Sequence, residues 1–253
     1  MLLYLLIAGL SFVSSDRCGS VPPSLWCSSK NLSTECGFDK LCDRYRSSTN
    51  NKRINVTVLI EALCPDCQRY IVEELYPNVY KNFANFINLE LVPYGNAHFV
   101  NGTIQCQHGP EECKINKFES CLIDAVKAQD QYVPFIYCLE NNLQYKVPFE
   151  TAAEKCFKKQ SISTDIQMLV QSCLVSRLGE LLQKKAGERT DSVWPDKHRH
   201  VPWVVINDIS IESEQMMMDH LSYLICTWYT GDKEIPYCQK EEKKKYKMWS
   251  LNV

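Results

Sequence analysis

Ile54-Asn55-Val56-Thr57-Val58-Leu59-Ile60-Glu61-Ala62-Leu63-Cys64-Pro65-Asp66-Cys67 is the stretch that decides how this chain is read. Its first seven residues alternate apolar and polar, then become wholly apolar, and are rich in β-branched side chains. They predict a strand that runs into a buried sheet. A CxxC motif follows after three residues, and Pro65 suits a first helical turn, where its missing N–H is not needed. Tyr70, Ile71 and Leu75 then fall on one helical face, with Glu73 and Glu74 elsewhere. Pro77 is expected to interrupt this helix, which resumes through Val79, Phe83 and Phe86. Asn88-Leu89-Glu90-Leu91-Val92-Pro93-Tyr94 alternates again as a second strand, and Gly95 ends it.

Strand, CxxC-headed helix, strand is the opening of a thioredoxin-like α/β fold. The chemistry expected there is dithiol exchange. A cysteine at a helix start lies near unpaired N–H groups that favour its thiolate, and one a turn inside is placed to resolve a mixed disulfide. Cys64 is then the nucleophile and Cys67 the resolving thiol. Activation matters in acid, because a thiol of pKa ~8.5 is only about 0.03% thiolate near pH 5. Asp66, beside Cys64, is expected to oppose the thiolate at neutral pH and less so in acid. Zinc normally needs a second ligand pair, and no other CxxC or close Cys/His doublet is present, so no metal is expected.

Working outward, the chain has 253 residues, 45% hydrophobic and 23% charged, with a formal net charge of −2. That balance gives no reason to expect nucleic acid or an anionic membrane as partner. Cysteine stands out: there are 14, spread from Cys18 to Cys238. An even count so distributed points to an oxidising compartment and a disulfide framework. Residues 1–15 read as a signal peptide, with an apolar run over Met1–Val13 too short to span a bilayer. Asn31, Asn55 and Asn101 each head an Asn-X-Ser/Thr sequon, consistent with secretion. No later segment is apolar for long enough to insert stably in a membrane.

Residues 16–52 form a small cysteine-containing extension or pro-segment, whose Cys18, Cys27, Cys36 and Cys42 allow three pairings. The main domain spans 53–238, with a helical, cysteine-rich insertion over about 97–195. Within it, Asn96 to Cys113 is loop-like, Phe118, Cys121, Leu122, Ala125 and Val126 recur at helical spacing, and Ile166 to Leu181 forms a longer amphipathic stripe expected to pack in the core. Strand character returns over Val201-Pro202-Trp203-Val204-Val205-Ile206 and briefly at Ile209-Ser210-Ile211, followed by a closing helix over 212–230. Val201 and Pro202 are candidates for a cis-proline turn beside the CxxC, leaving the Val201 backbone free to pair with a bound peptide; the plain alternative is an edge proline at a strand start. A charged tail covers 239–253.

Cys106-Gln107-His108-Gly109-Pro110-Glu111-Glu112-Cys113-Lys114-Ile115-Asn116-Lys117-Phe118-Glu119-Ser120-Cys121 resembles the complete signature of the gamma-interferon-inducible lysosomal thiol reductases. Its fixed positions fall here on Cys106, Gln107, His108, Gly109, Glu112, Cys113, Asn116 and Cys121. The CxxC resembles that family's in type and place, and Arg189-Thr190 followed by Val201-Pro202-Trp203-Val204 resembles its approach to the cis-proline strand.

The resemblance implies a thioredoxin-like domain with a helical insertion that reduces protein disulfides in endosomes and lysosomes, linked in some cells to antigen processing. It implies glycosylation, and secretion of some members. It implies a stapled loop near the active site, with two or more of Cys106, Cys113 and Cys121 in disulfides. The implied partners are disulfide-bonded proteins and a small thiol donor that regenerates the enzyme, without metal or organic cofactor. His108 is a candidate for thiolate stabilisation, but a lone histidine is more often structural. Two rivals use the same sequence: a secretory-pathway oxidase or isomerase of higher potential, and a secreted, disulfide-stapled binding protein with a vestigial CxxC. The C-terminal Trp249-Ser250-Leu251-Asn252-Val253 is not a retention signal, which argues against residence in the endoplasmic reticulum.

Overall fold

The structure is a computed structural model that describes residues 16–240. The expected signal peptide, residues 1–15, and residues 241–253 of the expected tail lie outside the described residues. The fold is mixed α/β, mostly helical, with two small sheets and six disulfides.

The chain opens with short helices α1 (Asp16–Gly19), α2 (Lys30–Glu35) and α3 (Asp39–Thr49). Cys18–Cys36 and Cys27–Cys42 staple them in an interleaved pairing. Strand β1 (Ile54–Ile60) then leads into α4 (Pro65–Arg69). Helical winding does not stop at Pro77, as the sequence had led us to expect. The helix widens into a π-helical stretch over Tyr70–Tyr80 and tightens again in α5 (Lys81–Phe83). A widened helix passes a residue that cannot donate an N–H without ending there.

Strand β2 (Ile87–Pro93) pairs in parallel with β1, from Ile54↔Ile87 to Ile60↔Pro93. Asn96 to Cys113 is not a plain loop. It contains an antiparallel hairpin of β3 (His98–Val100) and β4 (Thr103–Gln105) turning on Asn101-Gly102, both at positive φ. Asn-Gly supplies the two left-handed residues that a tight hairpin turn requires.

Five helices follow: α6 (Pro110–Val126), α7 (Gln129–Gln144), α8 (Phe149–Lys159), α9 (Thr164–Leu174) and α10 (Arg177–Asp191). The stripe expected to be core from Ile166 to Leu181 is two helices, divided where the Ser176 side chain accepts the Leu178 N–H as an N-cap. Val170 and Cys173 are buried, but Leu169, Leu178 and Leu181 are exposed.

Strand β5 (Trp203–Ile206) returns antiparallel to β1, giving the sheet order β2-β1-β5. Central β1 is buried at every position except Asn55, which accounts for its near-continuous apolar run. Ile209-Ser210-Ile211 makes only isolated bridges, Ile206↔Ile209 and Pro195↔Ser210. The closing helix begins as a 3-10 helix over Glu212–His220 and becomes α11 (Leu221–Trp228). The N-terminal segment clasps α11: Trp228 Nε1 donates to the Ser24 carbonyl at 2.7 Å, and the Tyr45 hydroxyl donates to the Trp228 carbonyl at 3.0 Å. Among the described residues no helix is long and apolar enough to cross a membrane.

Candidate active site

Cys64 and Cys67 are free thiols, and every other cysteine of the chain is in a disulfide. The extended backbone at Cys64 makes it the N-cap of α4, and its sulfur accepts the Cys67 N–H at 3.3 Å. Cys64 retains 7% of its surface, whereas Cys67, one turn inside, has none. The Cys64 thiol donates to the Val201 carbonyl at 3.9 Å, and the Val201–Pro202 peptide is cis. The two segments that the sequence singled out, 137 residues apart in the chain, thus meet at one sulfur.

The two thiols differ in acidity. A hydrogen bond from the Cys67 thiol does most to lower the Cys64 pKa; burial opposes it, the Cys67 and Asp66 amides assist, and the charge of Glu61 works against it. Burial pushes the Cys67 thiol well up, and Cys64 and the charge of Glu61 push it the same way. Asp66 is turned away, exposed and 3.3 Å from Arg69. The carboxylate that bears on both sulfurs is Glu61, which the sequence did not single out.

Glu61 sits just past β1 and is 1% exposed. Its Oε2 accepts the Asn96 N–H at 2.7 Å, while its Oε1 has no hydrogen-bond partner and lies 3.6 Å from His108 Nδ1. His108 Nδ1 is 2.9 Å from Glu112 Oε2, which also accepts the His108 backbone N–H. Glu112 Oε1 accepts from Asn116, whose own Oδ1 accepts the Ala62 N–H at 2.8 Å. Asn96 donates to Gln107 at 2.7 Å. Gly95 lets the chain pass under Glu61: its φ is +58°, and an added Cβ would fall 2.6 Å from the Glu61 Cβ.

One oxygen each of Glu61 and Glu112 and a nitrogen of His108 lie within 4.8 Å of one another, a donor set of a kind that divalent cations accept. Glu112 already spends both oxygens on hydrogen bonds, and His108 Nδ1 already pairs with one of them. The three side chains are thus already tied to one another by the His108–Glu112 hydrogen bond and the 3.6 Å approach of Glu61.

A model of the gamma interferon inducible lysosomal thiol reductases matches residues 55–160. A goldfish (Carassius auratus) gamma-interferon-inducible lysosomal thiol reductase is 30% identical over 246 residues, 95% of this chain and 91% of its own. This chain belongs to the gamma-interferon-inducible lysosomal thiol reductase family. An Arabidopsis thaliana gamma-interferon-responsive lysosomal thiol protein is 29% identical over 79% of this chain and 83% of its own, and the mouse gamma-interferon-inducible lysosomal thiol reductase 26% over 73% and 71%.

The reductase signature forms a brace behind the CxxC. Cys106–Cys113 closes the loop onto the first turn of α6, and Cys121–Cys173 ties α6 to α9. Gln107, His108, Glu112 and Asn116 then hold residues 61, 62 and 96, the backbone on which Cys64 is mounted. Gly109, at φ +91°, makes the turn into α6. On the other side of Pro202 a cleft of about 620 Å³ opens, lined by Asp66, Tyr70, Glu74, His200, Met216 and Asp219. A smaller cavity, about 290 Å³, lies between the N-terminal segment and α11, away from the thiols. The sequon residues Asn31, Asn55 and Asn101 are all exposed.

Proposed function

We propose that the chain reduces protein disulfides with Cys64 as nucleophile and Cys67 as resolving thiol, in a domain of thioredoxin-like architecture. The observation that carries this reading is the asymmetry of the dithiol. The thiol with residual access has a lowered pKa, and the one without access has a raised pKa. The Cys64 thiolate attacks a substrate disulfide and expels one substrate thiol. Cys67 then attacks Cys64 Sγ, releases the second thiol and closes the Cys64–Cys67 disulfide. A small thiol or dithiol reopens it, and no metal or organic cofactor takes part. The Val201 backbone, whose carbonyl accepts only the Cys64 thiol, and the cleft beside Pro202 receive an extended stretch of substrate around its cysteine.

The enzyme works in endosomes or lysosomes, or is secreted, entering through a signal peptide at 1–15 and carrying glycans on its exposed sequons. The lysosomal names of its relatives support that compartment. Residues 16–52 act as a stapled extension of the 53–238 domain, since their contacts with α11 join the two.

The test is reduction of a denatured disulfide-bonded protein with a small thiol donor at about pH 5 and about pH 7. Cys64→Ser abolishes activity, and Cys67→Ser accumulates a covalent enzyme–substrate adduct. Activity confined to neutral pH would favour the secretory-pathway oxidase or isomerase. Activity that survives Cys64→Ser would refute the assignment.

A further inference from the structure

The cleft beside Pro202 is charged as well as open. We propose that it selects disulfides whose cysteine has a Lys or Arg close by in the substrate chain. This rests on the reductase reading above and names the class of substrate within it. At about 620 Å³ the cleft is about 10 Å across, which extended chain covers in about three residues, so the basic residue falls within that reach of the cysteine.

The fold steers the substrate chain into this cleft. Cys64 Sγ lies 3.9 Å from the Val201 carbonyl, so a disulfide attacked there brings its flanking residues past Val201 and Pro202. Strand β5 begins directly after them and is an edge of the sheet. Its outer side is already closed. The Gln215 side chain accepts the Val204 N–H and donates to the Val204 carbonyl, both at 2.8 Å, and the Ile206 N–H donates to the Ile209 carbonyl at 3.2 Å. A substrate therefore cannot run on along β5 as an added strand. Val201 and Pro202 themselves line the cleft, and it is the space open to the chain beyond them.

The cleft has two walls: the helical run from α4 into the π-helical stretch, and the 3-10 helix over Glu212–His220. The Tyr70 hydroxyl joins them by donating to the Met218 carbonyl at 3.4 Å. Four carboxylates line the space, Asp66, Glu73 and Glu74 from the first wall and Asp219 from the second. The cationic groups are Arg69 and His200 in the lining and His220 near Glu74. Arg69 is committed to Asp66 at 3.3 Å. Among the described residues no Lys or Arg forms an ion pair with Glu73, Glu74 or Asp219. Glu74 accepts from Asn78 at 2.6 Å, a neutral partner that leaves its charge in place. Carboxylates on both walls thus lack the cation that a basic side chain of the substrate supplies.

The lining also suits the stem of such a side chain. Met216 is 84% exposed, and Met218 is half-buried on the same wall. Thioethers adapt to whatever lies on them, and Lys and Arg lay their aliphatic stems along apolar surface while the charged head stays wet. Acid weakens the preference from two directions. His200 and His220 add positive charge when protonated. Burial, then the charge of Asp219, raises the Glu74 pKa, against the bond from Asn78 and the charge of His220, so that Glu74 gives up charge as pH falls.

The test uses the full-length reduced enzyme, a small thiol donor and three peptide disulfides that differ only in carrying Lys, Gln or Glu beside the cysteine. Release of a fluorescent thiol gives kcat/KM, and each value is divided by the rate of the same peptide with the small thiol alone. At about pH 7 and low salt the Lys peptide should exceed the Glu peptide about 10-fold, with Gln between, since exposed charge contacts are worth a factor of a few each. Added salt and a shift to about pH 5 should both shrink the difference. The charge-reversed variant Glu74→Lys/Asp219→Lys should invert the order, which loss of a merely structural role would not do. The wild-type comparison stands whether or not that variant folds. Equal normalised values for the three peptides, or the wild-type order in the folded reversed variant, would overturn the preference. Absence of Cys64-dependent reduction of every peptide would overturn the reductase reading, and the preference with it.

Discussion

Stability in this protein should fall as pH rises through neutrality, and a buried pair of acids explains why. Glu119 on α6 and Glu140 on α7 are 0% and 1% exposed, and none of their four carboxylate oxygens has a hydrogen-bond partner. Burial, then the charge of Glu140, pushes the Glu119 carboxyl well up; burial pushes Glu140 up from 4.5 to about 7, against weaker help from Glu119 and Gln68. A carboxyl whose folded pKa is raised contributes fully below its unfolded value, and that contribution is lost as pH climbs through the folded value. The shift at Glu140 alone corresponds to about 3 kcal/mol, at 1.36 kcal/mol per unit. For a chain of this size that lowers the melting temperature by about 6–12 °C between about pH 5 and about pH 8.

The assay is calorimetry without reductant, so that the disulfides stay closed. Wild type is compared with Glu140→Gln and with the double variant Glu119→Gln/Glu140→Gln. Each Gln imitates a protonated acid in size. The double variant should lose most of the downward slope while melting at least as high as wild type at about pH 8. His198, whose pKa burial lowers, slopes the opposite way in every variant and cancels in the comparison. A double variant with the full wild-type slope would refute the reasoning.

Other expectations are as specific. Gly95→Ala should destabilise by about 1–3 kcal/mol and lower reductase activity, because the new Cβ meets a left-handed φ and the Glu61 side chain together; urea unfolding and initial rates check it, and a neutral result would free Glu61 from that strap. Asn116→Ala strands the buried Ala62 N–H and should cost about 1–3 kcal/mol by urea unfolding, with no loss of any disulfide. Alkylation of the enzyme after mild reduction, followed by mass analysis in denaturant, should add labels at Cys64 and Cys67 alone. Labels on Cys121, Cys138, Cys156 or Cys173, which are sealed from reductant, would contradict the pairing described here.

The βαβ opening was legible because β1 is central: a strand covered on both faces must be apolar almost throughout, and Pro65 marks where the helix begins. The CxxC and its meeting with Val201-Pro202 were legible too, since each residue type has a restricted geometry. Other features were hidden by the limits of periodicity. The stripe over 166–181 keeps its spacing across the Ser176 break, so two partly exposed helices look like one buried one; Ser163 and Ser176, both N-caps, were the available sign. Asn101-Gly102 drew attention as a sequon rather than as a hairpin turn. Glu61 and Glu119 could not be read as buried, because a carboxylate in a sequence carries no mark of its solvation. Their places were the hint: Glu61 directly follows a buried strand, and Glu119 falls four residues after Ile115 and three before Leu122, on the apolar face of α6.

An enzyme that cuts disulfides while being held together by them must be spared by its own kind. Cys121–Cys173 and Cys138–Cys156 are sealed from any other copy's Cys64, since each of their sulfur-bearing residues is at most 5% exposed. Cys106–Cys113 has no such shelter, being only half-buried at the mouth of the brace. It shares that exposure with Cys18–Cys36 and Cys226–Cys238, but it alone of the three closes the loop that carries His108. Reduction there would loosen the brace behind the CxxC while the sealed pairs still tied α6 to α9 and α7 to α8.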